Sequence, residues 1–302
     1  MTNLVMGGAG FIGRRVVRNL AARGHEVECL DIATPAGLFD DLGKQVRMRR
    51  LDLTQFEEVI EAMAASKAEA VTNLSYMRDT LPRPAFRLNV LGMDNCFEAA
   101  RVAGVARVVY SSSIAIFGAW RQDLARPILE TDTPAPVTQY AHHKVFNEFQ
   151  AKEYREKHGM TITGVRAGHV AGADKLIGSV DHVQCIVAPA LGRPVRFEYR
   201  DRMRSVLHAD DAAEVFVRLA LAERPRHAIY NSGGASLSLG AIADLVRGFI
   251  PEAQIAFDQE QGGAARSGGY LFDSQRLAEE FGIVFPPYRQ RVGEMIEAAR
   301  QG

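Results

Sequence analysis

Short apolar runs alternate with longer amphipathic stretches through the first half of the chain, and that alternation predicts repeated strand–helix units. Leu4-Val5-Met6 leads through a glycine-rich turn into an amphipathic helix from Arg14 to Arg23, which Gly24 closes. Glu26 to Leu30 reads as a second strand, Arg47 to Leu51 as a third and Ala70 to Leu74 as a fourth, with a helix from Glu57 to Ser66 between the last two. A long helix opens near Asn89, runs through Ala103 and ends at Gly104, and the apolar strand Arg107 to Tyr110 follows. Beyond a proline-rich loop, Arg126 to Pro136, a further helix spans Tyr140 to Lys157. Strands separated by helices pair in parallel, so the pattern predicts an α/β fold built on a doubly wound parallel sheet.

At 302 residues the chain is long enough for a sizeable core, in one large domain or two closely joined ones. Thirty-six basic and thirty-six acidic residues give a formal net charge of zero, which argues against nucleic acid or an anionic membrane as a standing partner. No apolar run approaches the roughly 18 residues of a spanning helix. The opening Met1 to Gly8 carries no basic stretch followed by an apolar one, so the expected compartment is the cytoplasm. Cys29, Cys96 and Cys185 are odd in number and far apart, without C-x-x-C spacing, and are expected to be reduced thiols with no disulfide or zinc role. No metal site is expected.

The strongest chemical signal is Gly7-Gly8-Ala9-Gly10-Phe11-Ile12-Gly13, a G-x-x-G-x-x-G spacing between a strand and a helix. It reads as a phosphate cradle: Gly7 for the tight turn, Gly10 for approach of a pyrophosphate to backbone N–H groups, Gly13 for close helix packing. Asp31 ends the second strand eighteen residues past Gly13, where a carboxylate suits the ribose hydroxyls of NAD and repels the 2′-phosphate of NADP. Arg14 and Arg15 argue the other way, but Asp31 occupies the position that meets the ribose. Asp52, at the end of the third strand, serves an adenine ring or caps the next helix, and the sequence leaves the two level. Ser75 and Tyr76 leave the fourth strand on the cofactor side of a parallel sheet. The fifth delivers Ser111-Ser112-Ser113 to the C-terminal edge, where open α/β folds keep their ligands. Tyr140 and Lys144, four apart on one helix, project together, and an ammonium beside a phenol favours the phenolate needed for proton transfer. His142 and His143 read as surface residues of that helix, His143 on the Tyr140 face.

These pieces resemble the extended short-chain dehydrogenase/reductases, of the NAD-dependent epimerase/dehydratase type. GGAGFIG at 7–13, Asp31, DLT at 52–54, NVLGMDN at 89–95, VVYSSSIAIFG at 108–118 and YAHHK at 140–144 stand in that family's order. R-x-x-x-H-x-D-D at 204–211, Tyr230-Asn231-Ser232-Gly233 and Asp273 to Gly282 extend the resemblance over nearly the whole chain. It implies a Rossmann domain at 1–167, with 205–232 returning to it, and a smaller C-terminal substrate lobe at 168–302. It implies Tyr140 as general acid/base, Lys144 as its partner on the nicotinamide ribose, and Ser113 as the hydroxyl that orients the reacting oxygen, with Ser112 the neighbour confusable with it. The backbone of Gly7, Gly10, Phe11, Ile12 and Gly13 would hold the pyrophosphate of NAD, Asp31 the ribose, Asp52 and Leu53 the adenine, and Leu74, Ser75, Asn89 and Ser111 the remainder. The family also implies a homodimer through the helices beginning near Met93 and Tyr140.

Three departures bear on the substrate. The usual Arg-Pro-x-Asn-Val-Tyr-Gly-Pro reads Arg166-Ala167-Gly168-His169-Val170-Ala171-Gly172-Ala173, so His169 stands where nucleotide-sugar enzymes often use Asn. Arg-Pro-Gly-Asp becomes Arg266-Ser267-Gly268-Gly269, which leaves Arg204 and Arg266 as the candidate clamps for a diphosphate or carboxylate. Ile114 and Ala115 replace the Asp-Glu pair of the dehydratase branch, and neither moves a proton, which argues against elimination of water. The expected function is hydride transfer between NAD and a secondary alcohol or ketone on a polar, sugar-like small molecule. A nucleotide-sugar epimerase is the alternative enzyme, and a non-catalytic NAD-responsive binding protein the alternative of another class.

Overall fold

The computed structural model describes residues 1–77, 81–118, 126–263 and 271–301. The chain opens with β1 (Thr2–Met6), α1 (Gly13–Ala22), β2 (Glu26–Asp31), β3 (Val46–Arg50), α2 (Phe56–Ser66) and β4 (Ala70–Asn73). A short helix α3 (Pro82–Phe86) passes through a π-helical segment, Arg87–Gly92, into α4 (Met93–Ala103), followed by β5 (Arg107–Ser113), α5 (Gln139–His158) and β6 (Thr161–Ala167). The remainder comprises β7 (His169–Ala171), α6 (Asp181–Ala190), β8 (Val195–Tyr199), β9 (Met203–His208), α7 (Ala209–Leu221), β10 (Ile229–Asn231), β11 (Ala235–Ser238), α8 (Leu239–Arg247), β12 (Ile255–Gln259), α9 (Gln275–Phe281) and α10 (Tyr288–Gln301).

The main sheet runs β10-β6-β5-β4-β1-β2-β3, with β3, β2, β1, β4 and β5 paired in parallel. Strand order reverses between β1 and β4, the doubly wound arrangement in which ligands sit beyond the carboxyl ends at the switch point. Alternation across the strands sends Leu4, Met6, Leu30, Val71, Val108 and Tyr110 into one core with Met63 of α2, Phe97 of α4 and Ala151 of α5. Local signals bound the helices: Thr138 caps the start of α5 by accepting from the Ala141 N–H at 3.2 Å, Gly104 closes α4 where the sequence placed its end, and Gly159 closes α5, both glycines in the left-handed region.

Two compact units emerge. The first holds residues 1–116, 136–166 and 212–230; the second holds 117–135, 167–211 and 231–302. The expected return of 205–232 to the first unit is therefore too long. β9 pairs antiparallel with β11 and parallel with β7, which keeps 205–211 in the second unit. The segment 117–135, expected in the first unit, joins the second because Ile128 bridges Phe272 and the Glu130 carboxylate accepts from the Asn231 N–H at 2.9 Å. The second unit has its own core, in which Val183 and Ile186 of α6, Ile242 and Val246 of α8, and Val292 and Ile296 of α10 are buried. No helix among the described residues is long and apolar enough to cross a membrane.

Candidate active site

The glycine loop follows β1 at the switch point. Gly7 has φ +72°, and its N–H donates to the Leu30 carbonyl at 2.8 Å. A Cβ there would lie 2.8 Å from the Ser75 nitrogen, so the backbone of Leu74 and Ser75 rests directly on the loop. A Cβ on Gly13 would overlap the Gly7 carbonyl, which is why α1 starts hard against the sheet. The Gly10 N–H closes the turn on the Gly7 carbonyl, while the N–H groups of Phe11, Ile12 and Gly13 find no acceptor among the described residues. Open N–H groups at a helix start that carries no acidic residue in its first turn form an anion cradle, and the dipole of α1 adds to it. That donor set fits the pyrophosphate of NAD.

Asp31 lies beside this cradle. One carboxylate oxygen accepts from the Ala9 N–H at 3.1 Å and the other from the Ala33 N–H at 3.1 Å, which fixes the carboxylate at the end of β2. Arg15, a candidate for a 2′-phosphate, turns back to donate to the Phe11 carbonyl at 2.8 Å and lies over the Phe11 ring. Asp52 does not cap α2, whose N-cap is Gln55: its Oδ1 accepts from the Thr54 N–H at 2.9 Å and from the Thr54 hydroxyl at 2.8 Å, shaping the turn before that helix. Leu53 is buried, and its carbonyl accepts from Asn95. Asn89 is also buried. Its amide accepts from the Met77 N–H at 2.8 Å and donates to the Met77 carbonyl at 2.9 Å, so it pins the loop that carries Leu74 to Tyr76. It sits in the π-helical segment, an irregularity the sequence gave no sign of.

The serines belong to β5 itself and do not form a turn after it. Strand alternation then separates them. Ser112 shares the Tyr110 side, is 1% exposed, and donates to the Glu148 carboxylate of α5 at 2.6 Å, which removes it as a group that meets substrate. Ser113 points the other way. Its Oγ accepts from the Ala115 N–H at 3.1 Å, which leaves the hydroxyl hydrogen to donate elsewhere. Lys144 is 1% exposed, its Nζ donates to the Ser111 carbonyl at 2.6 Å, and it lies 5.6 Å from the centre of the Tyr140 ring. Burial lowers its pKa to about 8, against the opposing pull of Glu148. The Tyr76 ring meets Tyr140 edge-on at 5.6 Å. His143, expected on the helix surface, is buried with its ring edge-on to Phe86.

In the second unit Arg204 is no open clamp. Its Nε donates to Asp181 at 3.0 Å, its Nη2 to the other oxygen of the same carboxylate, and its Nη1 to the Met203 carbonyl. Burial alone would raise the Asp181 pKa, but hydrogen bonds from His182 and Arg204 hold it well below the usual carboxylate range. His169 accepts from the Ser205 N–H through Nδ1 at 3.3 Å, and burial, helped by His182, Arg204 and Lys175, keeps it neutral. Arg266 lies outside the described residues. Cys29, Cys96 and Cys185 are buried free thiols that burial pushes up to about 12. No group of three or more His, Cys, Asp or Glu among the described residues is placed to hold a metal ion.

The model of the NAD dependent epimerase/dehydratase family matches residues 3–233. The UDP-glucose 4-epimerase of Streptomyces lividans is 30% identical over 273 residues, covering 81% of this chain and 79% of that enzyme. The UDP-glucose 4-epimerase of Lacticaseibacillus casei is 28% identical over 198 residues, 63% of this chain and 59% of the enzyme, so the match spans less than two thirds of that relative. Among solved structures, a partial-consensus L-threonine 3-dehydrogenase superposes with a TM-score of 0.87 at 22% identity, covering 100% of each chain. At that identity the likeness is one of fold.

Proposed function

The chain belongs to the NAD dependent epimerase/dehydratase family, and from that premise we propose that it is an NAD-dependent oxidoreductase acting at a secondary alcohol or ketone of a polar, sugar-like molecule. The observation that carries this reading is the buried Lys144 ammonium beside Tyr140, anchored on the Ser111 carbonyl of β5, the strand that ends in Ser113. When bound, NAD supplies the hydride acceptor. The open N–H groups after Gly10 would hold its pyrophosphate and Asp31 its ribose hydroxyls. Tyr140 takes the proton of the substrate hydroxyl, Lys144 stabilises the phenolate, and Ser113 donates to the reacting oxygen. Ile114 and Ala115 offer no second acid or base, so the chemistry stops at hydride and proton transfer.

The epimerase reading has the Streptomyces lividans relative in its favour. Against it stands Arg204, whose guanidinium fork is already matched by Asp181, so a nucleotide diphosphate meets a neutralised pair there. An NAD-responsive binding protein has no chemical use for Tyr140 and Lys144. The reading also carries a cytoplasmic homodimer, supported by the exposed Phe146 and Phe149 of α5 and Val102 of α4. Light scattering that returns a monomer at micromolar concentration removes the dimer. The function is tested on purified enzyme screened against sugars, sugar acids and nucleotide sugars. The expected result is loss of cofactor on dialysis and one NADH formed per substrate oxidised. Cofactor retained through dialysis, with a nucleotide sugar converted to its epimer and no free NADH, overturns it in favour of the epimerase.

A further inference from the structure

One turn beyond Lys144 on α5, Glu148 stands at the centre of a buried network in the first unit. Its Oε1 accepts from the Ser112 hydroxyl at 2.6 Å and from the Arg166 Nε at 2.9 Å, and its Oε2 accepts from the Arg166 Nη2 at 2.8 Å. The side chains of Glu148 and Arg166 are 15% and 5% exposed. Arg166 comes from β6, Ser112 from β5 and Glu148 from α5, so three elements meet at one carboxylate. Ser112 is the middle residue of the segment whose first carbonyl receives Lys144 and whose last hydroxyl is Ser113.

We propose that Glu148, held by Arg166, is a positioning residue of the reaction: it fixes the Ser111–Ser113 segment through Ser112 and keeps Lys144 an ammonium beside Tyr140. The inference rests on the reading of Tyr140 and Lys144 as the proton-transfer pair. A carboxylate one helical turn from a buried lysine opposes the desolvation that drives its proton off, and Glu148 acts on Lys144 in that direction. The other titratable or charged groups around Lys144 are Tyr140 and the buried His143 on α5 itself, Arg107 and Tyr110 of β5, Arg166 of β6, Arg87 of the π-helical segment, and Asp94, Cys96, Glu98 and Arg101 of α4. Tyr110 is buried and its phenol is pushed far up, and Asp94 is engaged by Gln150 and Tyr154. Glu148, one turn away on α5, is the carboxylate that acts on Lys144.

The test follows Lys144 directly, so it does not depend on a substrate being known. In protein labelled with 13C-lysine, the Lys144 Cε resonance, assigned with Lys144→Met, is titrated in wild type, Glu148→Gln and Ser112→Ala. The expected midpoint falls by about one pH unit or more in Glu148→Gln and stays in place in Ser112→Ala, which keeps the charge. If Glu148→Gln leaves too much unpaired charge on Arg166 to fold, Glu148→Gln with Arg166→Met removes both charges, and its midpoint is again expected below that of wild type. A Lys144 midpoint unchanged on loss of the carboxylate overturns the proposal, because a merely structural ion pair would lower the melting temperature and nothing else. Where turnover is measured, Glu148→Gln loses about fivefold near pH 8 and recovers near pH 6, the loss expected from a one-unit shift. If the titration moves while no NAD-linked turnover exists in any variant, the hold of Glu148 on Lys144 stands, and the oxidoreductase reading falls together with the catalytic purpose of that hold.

Discussion

Lys144 in the first unit and Lys175 in the second are both pushed down to about 8 by burial, and both donate to a backbone carbonyl, of Ser111 and Val170 respectively. Their neighbours differ. Lys144 has a phenol one turn away and a serine hydroxyl with a hydrogen to give. Lys175 stands among an Arg–Asp pair and two imidazoles, His169 and His182, that burial keeps neutral. A shifted pKa therefore marks a chemical site only when groups able to exchange protons with a substrate surround it. The same shift inside a self-neutralised cluster marks a structural one.

The comparison breaks most visibly at Arg204. Arg204→Ala leaves the Asp181 carboxylate partly buried without its guanidinium and should cost about 3 kcal/mol of stability, read by urea denaturation, with most of it recovered in Arg204→Leu with Asp181→Leu. Because the folded-state pKa of Asp181 is depressed, its contribution is present above about pH 4 and fades as pH falls toward that folded value. The stability gap between wild type and Asp181→Asn should accordingly narrow from pH 7 to pH 3.5. Next in size, Tyr140→Phe should keep stability and NAD affinity by calorimetry while turnover falls about a hundredfold. A near-normal rate removes Tyr140 from the mechanism and puts the two lysines on the same footing.

A smaller effect sharpens the first site. Ser113→Ala should lose about tenfold in kcat/KM, the scale of one hydrogen bond to a charge-developing oxygen. Ser112→Ala, which touches only the Glu148 network, should lose less. Equal losses would merge the two serines' roles. Smallest is Lys175→Met. A buried lysine whose folded pKa is lowered destabilises the fold below that pKa, and the penalty lifts as pH rises from about 8 toward 10.5. The substitution should therefore raise stability by about 1 kcal/mol at pH 7 and by less at pH 10, with NAD affinity unchanged.

Much of the first site was readable from spacing. G-x-x-G-x-x-G after an apolar run fixes a strand–turn–helix, and the spacing of four from Tyr140 to Lys144 fixes a common helix face, because both relations repeat with the local backbone period. Ser112 and Ser113 could not be separated that way. Their assignment needed the strand to continue through Ser113, and only pairing with neighbouring strands extends it so far. Asn89 gave no local sign either, since its partner Met77 lies across a loop.

The sequence by itself determined the parallel α/β order, the phosphate cradle and the Tyr140–Lys144 face, all properties of residues within a turn or two of one another. The tertiary structure decided where charges end. Arg204 meets Asp181 across 23 residues and Glu148 meets Arg166 across 18, pairings that only the completed fold brings into contact. It likewise moved 117–135 into the second unit through the Ile128 bridge to Phe272. The physical reason is common to all three: local backbone geometry is set by neighbours in sequence, whereas desolvation leaves a buried charge or a buried backbone N–H and C=O no choice but a partner near in space.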